Sequence, residues 1–270
     1  MTDLSSFVTA LAGARPYDLE QPRYAGAPVF AAHEPGFNLF LHRRHEPGTG
    51  EQRTGASAVV MMTEHSGTHI DALAHQAFGM EMHGGVEVDP SVQTFTGFTR
   101  LGVETIAPIV ARGVLLDAAR HAGVERLPDG ESVVDLAAVA DAQGVELRPG
   151  DVVLVRTGSG AVFGDRAAYE AGAGVGVEAS RWLAEQRPLA VGADNLAWDT
   201  PGRNDPELGS VPGHVVLIVR AGIYILESVY LEELARDEQH EFAFVCLPLK
   251  MRGGTGSPVR PLALVPHAAA

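Results

Sequence analysis

The 270-residue chain contains a single cysteine and has no long apolar run. One cysteine excludes an intramolecular disulfide, and Cys246 lies in the apolar run FAFVCLPL, which predicts a buried strand residue rather than a reactive thiolate. No segment stays apolar over the roughly 20 residues that a membrane-spanning helix needs. The N-terminus carries no basic leader. We therefore expect a soluble, cytoplasmic protein without a membrane partner.

Positive charge is also scarce. Lysine and arginine together number 20 against 34 acidic residues, which gives a formal net charge of -14, and the basic residues are scattered along the chain. Such a surface repels polyanions rather than attracting them. The sequence thus predicts no nucleic-acid partner and favours a small molecule instead.

Several common catalytic motifs are missing. The chain has no G-x-S-x-G, so a serine nucleophile on a sharp elbow has no support. It also lacks G-x-x-x-x-G-K-[ST], and RTGSGAVFG contains glycines without completing a G-x-G-x-x-G pattern. These absences argue against serine hydrolases and nucleotide-binding enzymes.

The hydrophobic pattern predicts an α/β fold in one domain that spans residues 1–270. Short apolar runs between turn signals indicate strands, and apolar residues at helical spacing indicate helices. The predicted strands are 57–64, 113–118, 151–157, 188–194, 241–250 and 260–265, with two more in HVVLIVRAGIYILES separated by a turn at Ala221-Gly222, and the predicted helices are 2–14, 177–186 and 231–237. Because strands outnumber helices, we expect a compact domain with a mixed β-sheet and flanking helices.

Residues 1–56 form an N-terminal segment of different character. From residue 17 to residue 51 the chain is rich in proline, glycine and single aromatics, which predicts extended segments and loops. The stretch ends in HRRHEPGTGEQRTG, whose turn residues and mixed charges suggest a loop at 41–56. This loop is either an ordinary surface loop or an active-site lid.

The segment HSGTHIDALAH, residues 65–75, concentrates imidazole and carboxylate groups, the usual nitrogen and oxygen ligands of a catalytic divalent metal. A single helix would not gather His65, His69, Asp71 and His75 on one face. An extended strand would spread them over about 33 Å. The chain must therefore fold back, and Ser66-Gly67-Thr68 is where glycine permits it. The alternative is a polar loop without a metal.

Distinct roles follow for the four side chains. Two imidazoles and one carboxylate, from His65, His69 and Asp71, would leave coordination positions free for water and substrate. A divalent metal lowers the pKa of bound water, and the resulting hydroxide can attack a carbonyl carbon. The departing nitrogen then needs a proton, which His75 would supply unless it binds a second ion instead.

The same segment reads H-x-G-T-H-x-D-x-x-x-H, and in this the sequence resembles the cyclase-like metal hydrolase family that includes bacterial kynurenine formamidase and isatin hydrolase. All six fixed positions match. Weaker similarity extends over YDLEQP, the aromatic in APVF and VPGHVVLIVRAGIYILES. The resemblance implies a swivelling β/β/α fold and adds His214 and Glu227 to the metal site. A carboxylate such as Glu227, after an apolar run, is costly to bury unless it meets a cation.

The resemblance also bears on metal and substrate. Leu73 replaces a proline that is usual in the formamidases, and the chain is longer than they are, so the isatin-hydrolase-like branch is favoured. Resemblance to that branch implies one manganese ion, whereas resemblance to the formamidases implies two zinc ions. Glu227 favours two ions. The identity of the metal, Mn²⁺ or Zn²⁺, and the number of ions, one or two, therefore stay open. Phe30, by resemblance, and Trp198, after a strand end, are the candidate substrate-binding aromatics.

These observations predict a metal-dependent hydrolase that cleaves an amide C-N bond in a small aromatic or cyclic amide such as isatin. The alternatives are an arylformamidase that hydrolyses N-formylkynurenine, a cyclase or dehydratase, and a metal-binding protein without catalysis. A structural site would be closed by four protein ligands, so open positions and a spare histidine favour an enzyme. We also expect a homodimer or a higher homo-oligomer.

Overall fold

The computed structural model describes residues 3–48, 50 and 52–266. The strands are β1 (Arg15–Asp18), β2 (Asn38–Arg43), β3 (Ser57–Met61), β4 (His69–Asp71), β5 (Glu81–Met82), β6 (Val86–Glu87), β7 (Gln93–Thr94), β8 (Gly97–Phe98), β9 (Ile109–Asp117), β10 (Ser132–Val133), β11 (Val152–Arg156), β12 (Gly174–Val175), β13 (Ala190–Ala193), β14 (Asn204–Asp205), β15 (Gly209–Ser210), β16 (Tyr224–Glu227), β17 (Glu241–Cys246), β18 (Gly256–Pro258) and β19 (Leu262–Val265). The α-helices are α1 (Leu4–Ala12), α2 (Ala118–His121), α3 (Leu136–Gln143), α4 (Arg166–Glu170), α5 (Val177–Gln186), α6 (Pro212–His214) and α7 (Glu232–Arg236). Short 3₁₀ helices cover Ala31–His33, Val103–Thr105 and Ser159–Val162.

Nine strands form one mixed sheet in the order β1-β19-β17-β9-β11-β13-β16-β4-β18. The four central strands from β9 to β16 run parallel, whereas the flanking pairs on both sides are antiparallel. Parallel strands need covered faces, and helices supply that cover. The predicted α/β fold with a mixed sheet is confirmed.

The central strand β11 shows how the sequence specifies two buried faces. Its run VVLVR is buried at every position, and alternate side chains enter different cores. Val153 and Val155 join the cluster that contains Leu183 of helix α5. Leu154 joins the opposite cluster with Phe244 of β17. A continuous apolar run is the pattern expected of a strand with helices or loops on both sides.

The segment HVVLIVRA is helical, so the strand predicted there is wrong. Helix α6 continues into a π-helical segment, Val215–Ala221, before β16 begins at Tyr224. Four consecutive apolar residues from Val215 to Ile218 are buried. A short apolar run does not distinguish a buried strand from a helix that is covered all round. The helix ends at Gly222, which adopts φ +70°.

Strands β2 and β3 form a hairpin that is separate from the nine-stranded sheet. The strand predicted at 57–64 is therefore present as Ser57–Met61, but it pairs only with β2. Residues 41–43 of the predicted loop 41–56 belong to β2, and the other described residues of that loop form the tip of this hairpin. Thr49 and Glu51, within that loop, lie outside the described residues.

Most other predicted elements are found with shorter or shifted bounds. Helix α5 covers the predicted residues 177–186. Helices α1 and α7 lie within the predicted ranges 2–14 and 231–237, and residue 2 lies outside the described part of the chain. Strand β17 ends at Cys246, so the following LPLK is not a strand. Cys246 is buried, and burial raises the pKa of its thiol to about 12. In the described part of the chain, none of the helices combines the length and apolarity needed to cross a membrane.

Replacing Gly222 should destabilise the fold more than replacing a glycine in open space. A Cβ at Gly222 would lie 2.5 Å from Nε2 of His83, whose Nδ1 is held 3.0 Å from the carbonyl oxygen of Val219. We expect Gly222→Ala to lower the free energy of unfolding by about 2–4 kcal/mol, from left-handed strain and overpacking together. Urea denaturation measures it.

Gly144→Ala is the matched control. Gly144 ends helix α3 with φ +67° and has no atom within 4 Å of its added Cβ, so only strain of about 1–2 kcal/mol should appear. Equal losses in the two variants would contradict the proposed contact with His83.

Candidate metal centre

Strand β4 carries the centre of the predicted motif. His69 and Asp71 are two residues apart, so their side chains leave the strand on the same face. In the antiparallel pairing with β16, Glu227 lies directly opposite His69. Directly opposed residues share a face, which brings a second carboxylate beside the first pair. The sheet register therefore positions these three donors.

His65 reaches the same place because the chain reverses before β4. Gly67 adopts φ +63°, in the left-handed region, as the fold-back hypothesis required. Thr68 secures the turn, since its hydroxyl donates to the carbonyl oxygen of Ser228 and accepts from the amide of Gln21. As a result His65 Nδ1 lies 2.8 Å from Asp71 Oδ1.

His214 comes from a helix rather than from the predicted strand. It is the last residue of α6, and Asp199 orients it. The Asp199 carboxylate accepts from the His214 amide at 3.2 Å and lies 2.7 Å from its Nδ1. A carboxylate on one ring nitrogen fixes the tautomer and leaves the other nitrogen available to a ligand. That other nitrogen, Nε2, lies 3.2 Å from Oε1 of Glu227.

Each of the two carboxylates faces imidazoles on two sides. Oδ1 of Asp71 faces His65 and His69, with 3.5 Å to His69 Nε2, and Oδ2 faces His214 at 3.6 Å. Glu227 repeats the pattern, with Oε2 at 3.3 Å from His69 Nε2 and Oε1 towards His214. Nitrogen and oxygen atoms separated by 3.2–3.6 Å are too far apart for strong hydrogen bonds but suit neighbouring ligands of one ion.

Three of these buried atoms have no hydrogen-bond partner among the described residues: Nε2 of His69, Oδ2 of Asp71 and Oε1 of Glu227. His69 Nδ1 donates to the carbonyl oxygen of Gly67 at 2.8 Å, so the neutral ring carries its lone pair on Nε2. Unsatisfied buried lone pairs of this kind are expensive. A divalent cation fits them, because it would satisfy all three at once.

The electrostatics of the cluster point the same way. Burial acts against ionisation of both acids, but neighbouring imidazoles hold the pKa of Asp71 well below its usual range and lower that of Glu227. Burial likewise acts to lower the pKa of His69, yet the nearby carboxylates of Asp71 and Glu227 raise it to about 10, so without a metal ion this ring would itself take up a proton. The site therefore holds two buried anions and demands positive charge beside them.

Two supporting residues on the other side of His65 have no counterpart in the sequence analysis. Thr255 Oγ1 lies 2.8 Å from His65 Nε2 and donates to Glu64, whose carboxylate also accepts from the Thr255 amide at 2.8 Å. Glu64 could have been noticed, since it is the residue before the motif. Thr255 and Asp199 carry no sequence signal of their own, because only the fold brings them to the imidazoles.

His75 lies between the buried donors and solvent. Its Nε2 is 4.0 Å from Oδ2 of Asp71, and its ring centroid is 4.0 Å from that of His65. Burial, above all, lowers the pKa of His75 to about 3, so the ring is neutral near pH 7. The sequence analysis assigned nothing to His33, which stacks on His65 at 4.6 Å from the outer side.

The two candidate aromatics are in different surroundings. Phe30 is half-exposed, with its ring 6.0 Å from that of His33, which places it at the rim of the site. Trp198 is fully buried in the core, and its indole Nε1 donates to Ser180 Oγ. The structure does not bring Trp198 to the donors as a pocket wall. Its neighbour Asp199 is the residue that reaches the site.

Comparison with known proteins adds the evolutionary context. Residues 17–200 match the family model described as putative cyclase. Isatin hydrolase of Roseibium aggregatum is 29% identical over 218 residues, which cover 77% of this chain and 74% of that protein. A crystal structure of a novel cyclase superposes with a TM-score of 0.83 at 29% identity, covering 95% of this chain and 88% of the other. Isatin hydrolase A from Ralstonia solanacearum gives 0.74 at 25% identity, covering 98% of each chain.

The donor set predicts how metal content responds to substitution. Because His69 and Asp71 each present a buried, unpartnered atom, His69→Ala and Asp71→Ala should reduce bound manganese or zinc to a small fraction of the wild-type amount. Elemental analysis after gel filtration measures the stoichiometry, and circular dichroism checks that the fold persists.

His45→Ala is the matched control, since it removes an exposed imidazole at the hairpin tip and should leave the metal content unchanged. Wild-type metal stoichiometry in both site variants would refute the assignment.

Proposed function

The chain belongs to the putative cyclase family, as the motif at residues 65–75 predicted, and on this premise we propose that it is a metal-dependent hydrolase of amide C-N bonds. The observation that carries the proposal is the set of buried, unpartnered donor atoms on His69, Asp71 and Glu227 beside a neutral, solvent-reaching His75. A purely structural metal site would need no such histidine at its mouth.

The donor distances support two positions for a divalent ion. His65 and His69 would hold one with Asp71, and His214 would hold the other with Asp71 and Glu227. Because each carboxylate turns one oxygen towards His69 and the other towards His214, Asp71 and Glu227 would contribute donors to both positions. Imidazole and carboxylate together suit Zn²⁺ and Mn²⁺. Two ions are therefore favoured over one within this proposal.

A divalent metal at this centre would activate a water molecule and polarise the substrate carbonyl. Residues of the chain would orient the ligands and transfer the proton. Asp199 and the Gly67 carbonyl orient the rings of His214 and His69, which keeps their Nε2 atoms on the donors. His75, outside the ring of ligands and neutral near pH 7, is placed to accept a proton from the attacking water and then to pass it to the departing nitrogen.

The rim favours a planar substrate. Phe30 presents a half-exposed ring near the mouth, and an aromatic ring at that place suits a flat bicycle or an arylamine. The relatives named isatin hydrolase add support for a cyclic amide over an acyclic formamide. Isatin or a similar cyclic amide is the preferred substrate class, and N-formylkynurenine is the second candidate.

The hairpin supports an assembly of two copies. On one face it exposes Leu39, Leu41 and Val60, and on the other Phe40, Val59 and Met61, each about half exposed. An isolated hairpin cannot bury two apolar faces by itself, and exposed patches of this kind mark interaction surfaces.

Charge favours a second copy of this chain as the partner. The sequence of the hairpin tip has three arginines, Arg43, Arg44 and Arg53, against two glutamates, Glu46 and Glu51, so it is slightly basic although the whole chain has a net charge of -14. A slightly basic tip on an acidic protein is complementary to the body of another copy. We therefore propose a homodimer in which the hairpin packs against the second protomer.

Polar substitution on the hairpin should weaken this dimer. We expect Leu39→Thr with Val60→Thr, on one face, or Phe40→Thr with Val59→Thr, on the other, to shift the mass towards the monomer, because threonine keeps the strand propensity and removes apolar area. Light scattering after gel filtration measures the mass. Val110→Thr, an exposed strand residue outside the hairpin, is the control. A monomeric wild type, or dimeric hairpin variants, would disprove the interface.

Hydrolysis itself is tested by side-by-side assays of the metal-loaded protein on isatin and N-formylkynurenine. We expect turnover of isatin with a kcat/KM higher than that for the formamide, since a rigid planar amide matches the rim better. His75→Ala should lower kcat by about 10²–10⁴-fold while metal stays bound, because it removes proton transfer only.

Activity of His75→Ala equal to that of the wild type would remove the proton-transfer role. Inactivity of metal-loaded wild-type protein on both amides would overturn the proposed reaction and leave the metal centre standing.

A further inference from the structure

His33 is held firmly at the mouth of the metal centre. It ends the 3₁₀ helix Ala31–His33, its amide donates to the Phe30 carbonyl oxygen at 2.8 Å, and its own carbonyl accepts from Thr63 Oγ1 at 2.7 Å. Thr63 lies between hairpin strand β3 and the motif. The backbone of His33 is therefore tied to the segment that delivers His65, although the two residues are distant in sequence.

The ring of His33 lies next to the imidazoles of His65 and His75. It stacks on His65 with 24° between the planes, and its centroid lies 5.7 Å from that of His75. Ligand nitrogens of the three rings lie within 4.8 Å of one another. Within the described residues, His65 directs Nδ1 to the neighbouring donor Asp71 and Nε2 to Thr255, whereas no hydrogen bond reaches the rings of His33 or His75.

This trio is poorly suited to a further metal ion. An imidazole binds a cation along a lone pair in its ring plane, and nearly parallel stacked rings send their lone pairs in parallel directions rather than to one point. The nitrogens of His65 are also directed to Asp71 and Thr255. The unpartnered nitrogens of His33 and His75 suit a hydrogen-bonded ligand instead.

We propose that His33 contacts the substrate and hydrogen-bonds one oxygen atom next to the scissile amide. A ring nitrogen of His33 lies within 4.8 Å of one of His75, so a substrate whose departing nitrogen meets His75 has its neighbouring atoms within hydrogen-bond reach of His33. This inference rests on the proposed hydrolase function and makes His33 the residue that distinguishes isatin from a cyclic amide without a second carbonyl.

The position of His33 explains why that oxygen is the second carbonyl rather than the scissile one. The scissile carbonyl must lie over the buried donors of Asp71 and Glu227, whereas His33 is half-buried and lies beyond His65. Burial, with the neighbouring His65 and His69, lowers the pKa of His33, so the ring is neutral at pH 7 and keeps one N-H to donate. Neutral donors can bind a carbonyl oxygen without a net charge in the pocket.

The test compares two ligands that differ only in this oxygen. Isatin carries a ketone beside its amide, and oxindole lacks it. We expect metal-loaded wild-type protein to bind isatin about tenfold or more tightly than oxindole, measured by calorimetry at a temperature where turnover is slow. In His33→Phe, which keeps the stacked ring and removes the hydrogen bond, the preference should disappear. His33→Gln should restore part of it.

His42→Phe, a change at an exposed histidine of the hairpin, should leave the preference intact. A preference that persists in His33→Phe, or that is absent in the wild type, would overturn the inference. Loss of metal from His33→Phe would do the same, since it would mean that His33 only supports His65. Calorimetry measures binding independently of turnover, so the two proposals fail in different experiments. Absence of turnover on every amide would refute the hydrolase function, whereas the isatin preference of wild type and His33→Phe decides the role of His33.

Discussion

The structure depends on two carboxylates that project from the same face of adjacent strands deep in the protein. Asp71 and Glu227 are buried, and both stay ionised because imidazoles surround them. Burying one carboxylate without compensation would cost several kcal/mol, and a second beside it costs more. The sheet register fixes this arrangement, since pairing of β4 with β16 sets Glu227 opposite His69. The neighbouring elements are arranged so that positive charge can meet this pair.

The imidazoles that compensate the two carboxylates are held in fixed orientations by hydrogen bonds on their outer sides. Each inner imidazole has one nitrogen tied to a partner away from the centre: His69 to the Gly67 carbonyl oxygen, and His214 to Asp199. The free nitrogens then face the carboxylates without having to rotate. Asp199 also accepts from two backbone amides where helix α6 begins, so the group that orients His214 also satisfies the helix start. Stability and ligand geometry are coupled at this helix.

The sequence was informative where local chemistry decides the structure. The spacing of residues 65–75 required a fold-back, and Gly67 provides it. Continuous apolar runs located the central strands. The sequence failed where long-range packing decides. The apolar pattern of residues 215–221 is compatible with either a strand or a helix, and only their burial beside α5 distinguishes the two. The sequence also does not indicate whether Trp198 or Asp199 reaches the site. His33 was missed because a lone histidine in a loop carries no pattern.

The separation between ionised donors and neutral imidazoles constrains where chemistry can occur. Inside the cluster every titratable group is committed to charge balance, so a proton moving there would disturb the two carboxylates. His33 and His75 lie outside that balance, and burial keeps both neutral near pH 7. A neutral imidazole offers one donor and one acceptor, and can accept a proton and hand it on while the inner charges stay fixed. In the proposed hydrolase, proton transfer would therefore be confined to the mouth, where solvent can restore the starting state.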